Sequence, residues 1–108
     1  MIYTRMEHLL YRIYPRLMNF PKAERYSLTQ DIKQNFFDFL RYIALADKVR
    51  SKRLVYAQEA DGHLQTLKVL TKLANKRRYI SKGFYAEISL ELTEISKMLA
   101  GYIRSVNK

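Results

Sequence analysis

The chain has 108 residues, of which 48% are hydrophobic and 28% charged, and it contains three glycines, two prolines and no cysteine. This length supports one folded core, and the composition is that of a globular chain rather than a disordered one. The scarcity of glycine and proline disfavours a turn-rich β-sandwich. The lack of cysteine excludes disulfides, thiolate metal ligands and a cysteine nucleophile, and it suits a reducing cytoplasm.

The first predicted helix covers roughly residues 2–19. Apolar side chains recur there at helical spacing: Met6, Leu9, Leu10, Ile13 and Leu17. Pro15 lacks an amide hydrogen and is expected to kink this helix or to end it nearby. Three arginines (Arg5, Arg12 and Arg16) share another face of the helix, and we expect them to add to a basic surface.

The second predicted helix begins after a break at residues 19–22 and runs from Leu28 to about Val49. Ser27 precedes this segment and Gln30 follows three residues later, which is the pattern of a capping box. The predicted third helix is weakly delimited. Ser51 is a plausible N-cap, and the apolar stripe then continues to Arg77.

Gly62 lies inside the predicted third helix, where glycine costs about 1 kcal/mol relative to alanine. Two interpretations stay open at this point. The glycine marks a close approach of another helix, or it is a defect that the helix tolerates.

The fourth predicted helix follows Ser81, its expected N-cap, and has an apolar face from Phe84 to Ile103. Its opposite side carries an acidic strip of Glu87, Glu91 and Glu94. Such a strip is usually solvated, although in an oligomer it could receive basic residues from a neighbouring subunit. Four helices with short connections predict an all-α fold, an antiparallel up-down four-helix bundle that forms a single domain over residues 1–108.

The positive charge of the chain is concentrated in one segment. The net charge is +10, and residues 48–82 alone carry ten basic and two acidic side chains. Lys68, Lys72 and Lys76 are four residues apart and therefore form a row on one helical face. Such segregation indicates a face that binds a polyanion, and a solvated surface is the alternative. The basic residues predicted to bind nucleic acid are Arg50, Lys52, Arg53, Lys68, Lys72, Lys76, Arg77 and Arg78.

The chain has little material for an active site. His8 and His63 are its only histidines. Glu59 and His63 could touch one metal ion, but a di-iron bundle needs two Glu-x-x-His motifs and the sequence has none. Glycine-rich phosphate loops and hydrolase motifs are also missing. We therefore expect no metal, no cofactor and no enzymatic activity.

Nothing in the sequence predicts contact with a membrane. The apolar runs are far shorter than the roughly 20 residues of a spanning helix. Charged residues interrupt the N-terminal segment, so it does not resemble a signal peptide. A cytoplasmic location is expected.

Two segments of the chain resemble a known family. Residues 20–28, Phe-Pro-Lys-Ala-Glu-Arg-Tyr-Ser-Leu, resemble the F-P-[KR]-x-x-R-[FY]-x-L junction of the accessory variability determinant (Avd) family of diversity-generating retroelements. Residues 95–105 resemble the closing segment of that family, and the basic stretch Leu70–Ser81 falls at a corresponding place. The sequence departs from the pattern because Ser96 and Ala100 replace glycines and Tyr102 replaces a tryptophan. Proteins encoded within ribosomal RNA intervening sequences share the junction, but their N-I-A-E-G signature is absent at residues 43–47.

The resemblance implies a four-helix bundle that assembles as a homo-oligomer, specifically a barrel-like pentamer. It also implies a non-catalytic accessory role, in which the protein binds nucleic acid (RNA, DNA or both) and the reverse transcriptase during mutagenic cDNA synthesis. The alternative hypothesis is a structural scaffold that binds protein partners only, related to the intervening-sequence proteins.

Overall fold

The computed structural model describes residues 1–107, and these form four α-helices. The helices are α1 (Ile2–Leu17), α2 (Leu28–Lys48), α3 (Arg53–Lys76) and α4 (Lys82–Val106), with short 3₁₀ turns at Lys22–Glu24 and Arg50–Lys52. Each helix packs against the next one along the chain, and α4 closes the ring by packing against α1. The predicted four-helix architecture is therefore confirmed.

The antiparallel arrangement gives the bundle two ends that differ in composition. The first and third connections, residues 18–27 and 77–81, meet at one end, which we call the junction pole. The second connection, residues 49–52, lies at the opposite end with the start of α1 and the end of α4, and we call this end the terminal pole. The molecule extends 44 Å along its longest axis.

The core forms where the apolar stripes of the four helices meet. Phe36, Phe39, Met6 and Leu64 are among the largest side chains that are fully buried. The closest packing is between α2 and α3, and small residues of α3 such as Ala57 are completely buried. Burial of apolar surface at about 25 cal/mol per Å² is the main force that holds the helices together. None of these four helices is long and apolar enough to cross a membrane.

The helix ends confirm one of the predicted caps and contradict two. Ser81 caps α4, because its Oγ accepts a hydrogen bond from the Phe84 amide at 3.1 Å. The capping box predicted at Ser27 is wrong: the Ser27 hydroxyl instead donates to the Glu24 carboxylate at 2.6 Å. The prediction for Ser51 is also wrong, since this residue lies in the 3₁₀ turn and α3 begins only at Arg53.

Pro15 acts as expected near the end of α1. The helix continues for two residues beyond the proline and ends at Leu17. The amides of Asn19 and Phe20 then bond to carbonyls three residues earlier, at 3.1 and 3.2 Å, so the chain tightens into turns.

Gly62 proves to be a tolerated defect. It lies on the exposed side of α3, and a Cβ built there would meet no atom of the described chain within 4 Å. The interpretation as a site of close helix approach is therefore wrong.

We expect Gly62→Ala to raise the free energy of unfolding by about 0.5–1 kcal/mol, because alanine restricts the unfolded chain and fits the helix without a clash. Urea denaturation measures the change. Gly83→Ala is the matched control, since Gly83 has equally open space but lies in the first turn of α4, where helix propensity has less effect. A loss of stability in Gly62→Ala would show that the glycine has a packing role.

Candidate nucleic-acid interface

The eight predicted nucleic-acid-binding residues are divided between the two poles. Arg50, Lys52 and Arg53 lie at the terminal pole, whereas Arg77 and Arg78 lie at the junction pole. Helix α3 separates them by 24 residues, or about 36 Å. The structure therefore brings Lys72, Lys76, Arg77 and Arg78 together but does not unite all eight residues in one patch of a protomer.

Arg53 has a role inside the protein. Its Nε–H donates to the Ala46 carbonyl at 2.7 Å, and its Nη2 donates to the Asp47 carbonyl at 2.8 Å. These are carbonyls of the last turn of α2, which lack partners within the helix. The half-buried guanidinium thus ties the end of α2 to the start of α3, and this leaves fewer of its donors for a phosphate.

The lysines of α3 extend the basic surface from the junction pole along the bundle. Lys72 and Lys76 are exposed one turn apart, and Lys68 is half-buried. These three ammonium groups form no ion pair with any acidic group in residues 1–107. A groove of about 590 Å³ at the end of α3 is lined by Lys76, Arg78 and Lys82 among others.

Arg78 adopts a backbone conformation that arginine rarely takes. Its φ is +64°, in the left-handed region. The Tyr79 amide bonds to the Ala74 carbonyl at 2.9 Å and the Arg78 amide bonds to the Asn75 carbonyl at 3.0 Å, which together form a Schellman motif. Glycine is the usual residue at this position, because a side chain there costs roughly 1–2 kcal/mol. The chain places an exposed cation where glycine would be more stable.

A hydrogen-bonded network joins the two connections at the junction pole. The Tyr79 hydroxyl donates to the Glu24 carboxylate at 2.9 Å, and the Tyr79 ring packs on Phe20 with 5.2 Å between centroids. Hydrogen bonds from Ser27 and then Tyr79, with smaller contributions from the Leu28 amide and the charge of Arg77, lower the pKa of Glu24. The nearby Tyr79 hydroxyl, and to a smaller extent Glu24, raises the pKa of Arg77. Tyr79 is therefore a packing residue at the edge of the core.

Sequence reasoning missed basic residues that the first connection contributes to the same pole. Lys22 and Arg25 are exposed there, close to the end of α3 in space but more than 50 residues away in sequence. The bundle topology is the signal that could have identified them, because antiparallel helices bring the first and third connections to one end.

Two of the three arginines of α1, Arg5 and Arg12, do not extend this surface as predicted. Arg5 donates from Nε to Glu91 at 2.7 Å, and Arg12 pairs with Glu87 at 3.3 Å. The hydrogen bond to Glu91 and its charge raise the pKa of Arg5. Arg16 stacks over the Phe84 ring at 3.9 Å. The acidic strip of α4 thus meets α1 of its own chain.

The two residues considered as metal ligands do not form a donor set. His63 Nδ1 lies 2.8 Å from Asn35 Oδ1, and the imidazole stacks on Tyr42 with 5.6 Å between ring centroids. Glu59 is exposed. Within residues 1–107 there is no group of three or more acidic or histidine side chains that could hold a metal ion.

The fold and the charge distribution define the class of protein: a small helical bundle with a cationic pole. A family model described as bAvd-like matches residues 1–106, and the chain belongs to that family. The resemblance to the Avd family seen in the sequence is thereby confirmed.

The fold also matches a solved structure. A protein of unknown function from the S23 ribosomal protein family of Bacteroides thetaiotaomicron superposes with a TM-score of 0.84, over 95% of each chain, at 17% sequence identity. This likeness supports the four-helix fold alone. A search of curated proteins gave no match.

We expect Glu24→Gln to lower the melting temperature at neutral pH, because an amide oxygen is a weaker acceptor than a carboxylate for the hydroxyls of Ser27 and Tyr79. Since the folded state lowers the pKa of Glu24, the carboxylate stabilises the protein above its unfolded pKa and loses this effect as pH falls through its folded pKa. The difference in melting temperature between wild type and variant should therefore shrink from about pH 5 toward pH 3. Thermal melts across this range test the prediction.

Glu59→Gln is the control, because Glu59 is an exposed glutamate outside the network. A wild-type to Glu24→Gln difference that stays constant at every pH would contradict the role of the ionised carboxylate.

Proposed function

We propose that this protein is a non-catalytic accessory protein of a diversity-generating retroelement. In this role it binds nucleic acid, RNA or DNA, together with the reverse transcriptase during mutagenic cDNA synthesis, and it does so as a homo-oligomer. Membership of the bAvd-like family supports the assignment. The single observation that carries nucleic-acid binding is the density of exposed cations at the junction pole.

Cations arranged in this way suit a phosphate backbone. Lys72, Lys76 and Arg78 are exposed without an acidic partner in the described chain, so counterions neutralise them in the free protein. Binding a polyanion releases those counterions, which makes the affinity strongly dependent on salt and largely independent of sequence. The left-handed backbone of Arg78 adds support, because local strain is retained most readily where a side chain has a function.

We expect the triple variant Lys72→Gln, Lys76→Gln and Arg78→Gln to weaken binding of single-stranded RNA by at least about 10-fold at low salt. The slope of log K against log salt should fall by roughly 2, since each lost cation contributes about 0.7 for a single strand. Fluorescence anisotropy over a series of salt concentrations provides the measurement.

A triple variant at the terminal pole, Lys48→Gln, Arg50→Gln and Lys52→Gln, removes the same charge and should have a smaller effect. Arg78→Gly separates strain from function, because it should raise stability by about 1 kcal/mol while it weakens binding. Equal losses from the two triple variants, or an unchanged salt slope, would count against the junction pole as the binding surface.

The proposed assembly has a candidate contact surface on α3 and α4. Val69 and Leu90 are each 65% exposed and Leu73 is 44% exposed. Val69 lies seven residues before the end of α3 and Leu90 eight residues after the start of α4, so antiparallel packing sets them at the same height on the bundle. Exposed apolar side chains on two neighbouring helices are typical of a subunit interface. We propose a second copy of this chain as the partner, in a pentamer.

We expect Leu90→Glu to reduce the mass of the particle in solution without unfolding the protomer, because the side chain is exposed in the single chain and buried in the assembly. Light scattering after gel filtration gives the mass relative to the 12.9 kDa protomer. Phe37→Glu on α2 is the matched control, since Phe37 is also exposed (45%). Wild type with the mass of one protomer would refute the assembly, and an unchanged mass in Leu90→Glu would exclude this face.

The alternative function, a scaffold that binds protein partners only, has weaker physical support. A scaffold of this kind needs subunit contacts, and the acidic strip of α4 is the surface that would receive basic residues of a neighbouring subunit. Glu87 and Glu91 instead bind Arg12 and Arg5 of the same chain. The ionic contacts available for such a scaffold are correspondingly fewer.

A further inference from the structure

A cleft of about 410 Å³ lies at the junction pole between the end of α1 and the start of α2. Three cationic side chains line it: Lys22, Arg25 and Lys33. No aspartate or glutamate is among the lining residues, and Tyr26, at 86% exposure, stands at its edge. The cleft is separate from the lysine row of α3.

Thr29 gives the cleft a polar group that has no partner within the described chain. The residue lines the cleft and is only 8% exposed, and its Oγ1 is buried without a hydrogen bond to any atom of residues 1–107. Buried hydroxyls are nearly always satisfied, because the loss of their bonds to water is unfavourable. The Oγ1 itself is closed to solvent in the free protein, so the hydroxyl reaches a ligand in the cleft only by rotation about χ1. We take it as a donor left over for such a ligand.

The start of α2 adds a further polar side chain to the same place. Ser27, at the N-cap position, donates its hydroxyl to Glu24 and is therefore not free for a ligand. The first turn of α2 contributes Thr29 and Gln30 to the cleft. This helix has 21 residues, so the positive end of its dipole reinforces the field of the cations.

The charge of the cleft indicates which anion it suits. The Lys33 ammonium is held 4.8 Å from the centre of the Tyr14 ring, which fixes it on one side. Two acidic residues adjoin the cleft in sequence, Glu24 and Asp31, and neither lines it. Glu24 is bound to the hydroxyls of Ser27 and Tyr79. Three positive charges, a hydroxyl donor and a helix N-terminus suit the two charges and several oxygens of a phosphate monoester better than a single carboxylate.

From this geometry we infer that the cleft binds one phosphate monoester of a nucleotide, with Lys22 and Arg25 pairing to its oxygens and Thr29 donating a hydrogen bond. Tyr26 is placed to stack on the attached base. The phosphate has two sources, a free nucleotide or the 5′ end of a strand, and the second source rests on the proposed function.

The first experiment titrates the full-length protein with uridine 5′-monophosphate by calorimetry at constant ionic strength. We expect saturable one-to-one binding that Lys22→Gln with Arg25→Gln weakens by roughly 10-fold or more, since each charge-assisted hydrogen bond is strong. Arg50→Gln with Lys52→Gln removes the same charge at the terminal pole and should leave the affinity unchanged. Absence of binding up to about 10 mM nucleotide, or equal losses from the two double variants, would overturn the inference.

The variant Thr29→Val distinguishes a ligand-binding role of Thr29 from a purely structural one, because stability and nucleotide affinity should change in opposite directions. Valine has the same shape without the hydroxyl, so the melting temperature should rise by roughly 4 °C as the unpaired group is removed. Affinity for the nucleotide should fall by about 5-fold at the same time. A rise in melting temperature with unchanged affinity would show that Thr29 has no ligand and would refute its assignment.

The source of the phosphate is decided with two oligonucleotides that differ only in a 5′-phosphate or a 5′-hydroxyl. Tighter binding of the phosphorylated strand, lost in Lys22→Gln with Arg25→Gln, identifies the strand end. Equal binding of both strands alongside nucleotide binding identifies the free nucleotide. The triple variant of α3 (Lys72→Gln, Lys76→Gln and Arg78→Gln) separates the two proposals. If it still binds the nucleotide, the cleft is supported as the nucleotide site, whether or not the protein binds nucleic acid.

Discussion

The contact between Tyr79 and the first connection determines how the junction pole is built. Its hydroxyl binds the Glu24 carboxylate and its ring packs on Phe20, so one side chain fixes the third connection against the first. Glu24 also accepts the Ser27 hydroxyl, so this hydroxyl does not cap α2. The connection between α1 and α2 then leaves Lys22 and Arg25 exposed. Both cationic surfaces of this pole depend on that arrangement.

Two acidic residues of α4 pair with arginines along the side of the bundle, whereas the cations of α3 at the junction pole have no acidic partner in the described residues. Glu91 and Glu87 neutralise Arg5 and Arg12 along the seam between α1 and α4. Such partly exposed pairs contribute little to stability, typically 0–1 kcal/mol, but they set acidic charge of α4 against arginines of the same chain. The net charge of +10 is therefore carried by the basic side chains that have no acidic neighbour.

The sequence was sufficient to predict the helices, since periodicity reports burial directly. It was insufficient for the caps, because Ser27 and Ser81 look alike locally and only the position of Glu24 distinguishes them. The placement of the candidate binding residues could be predicted only in part from the sequence. Charge density singled out Lys72 and Arg78, which are exposed in the structure. The bonds of Arg53 to carbonyls at the end of α2 were not predictable, because they are set by tertiary structure.

Two unfavourable features of the chain occur at the same pole, which argues that this pole is selected for something other than stability. Arg78 occupies a left-handed position that suits glycine, and Thr29 buries a hydroxyl without a partner in the described residues. Each costs on the order of 1 kcal/mol, against a total stability of roughly 5–15 kcal/mol for a domain of this kind. The core of Phe36, Phe39 and their neighbours is well packed and can offset this cost. Conflicts between local preference and global fold concentrate at functional sites, and here one such conflict lies in each of the two cationic surfaces of the junction pole: Arg78 at the end of α3 and Thr29 in the cleft between α1 and α2.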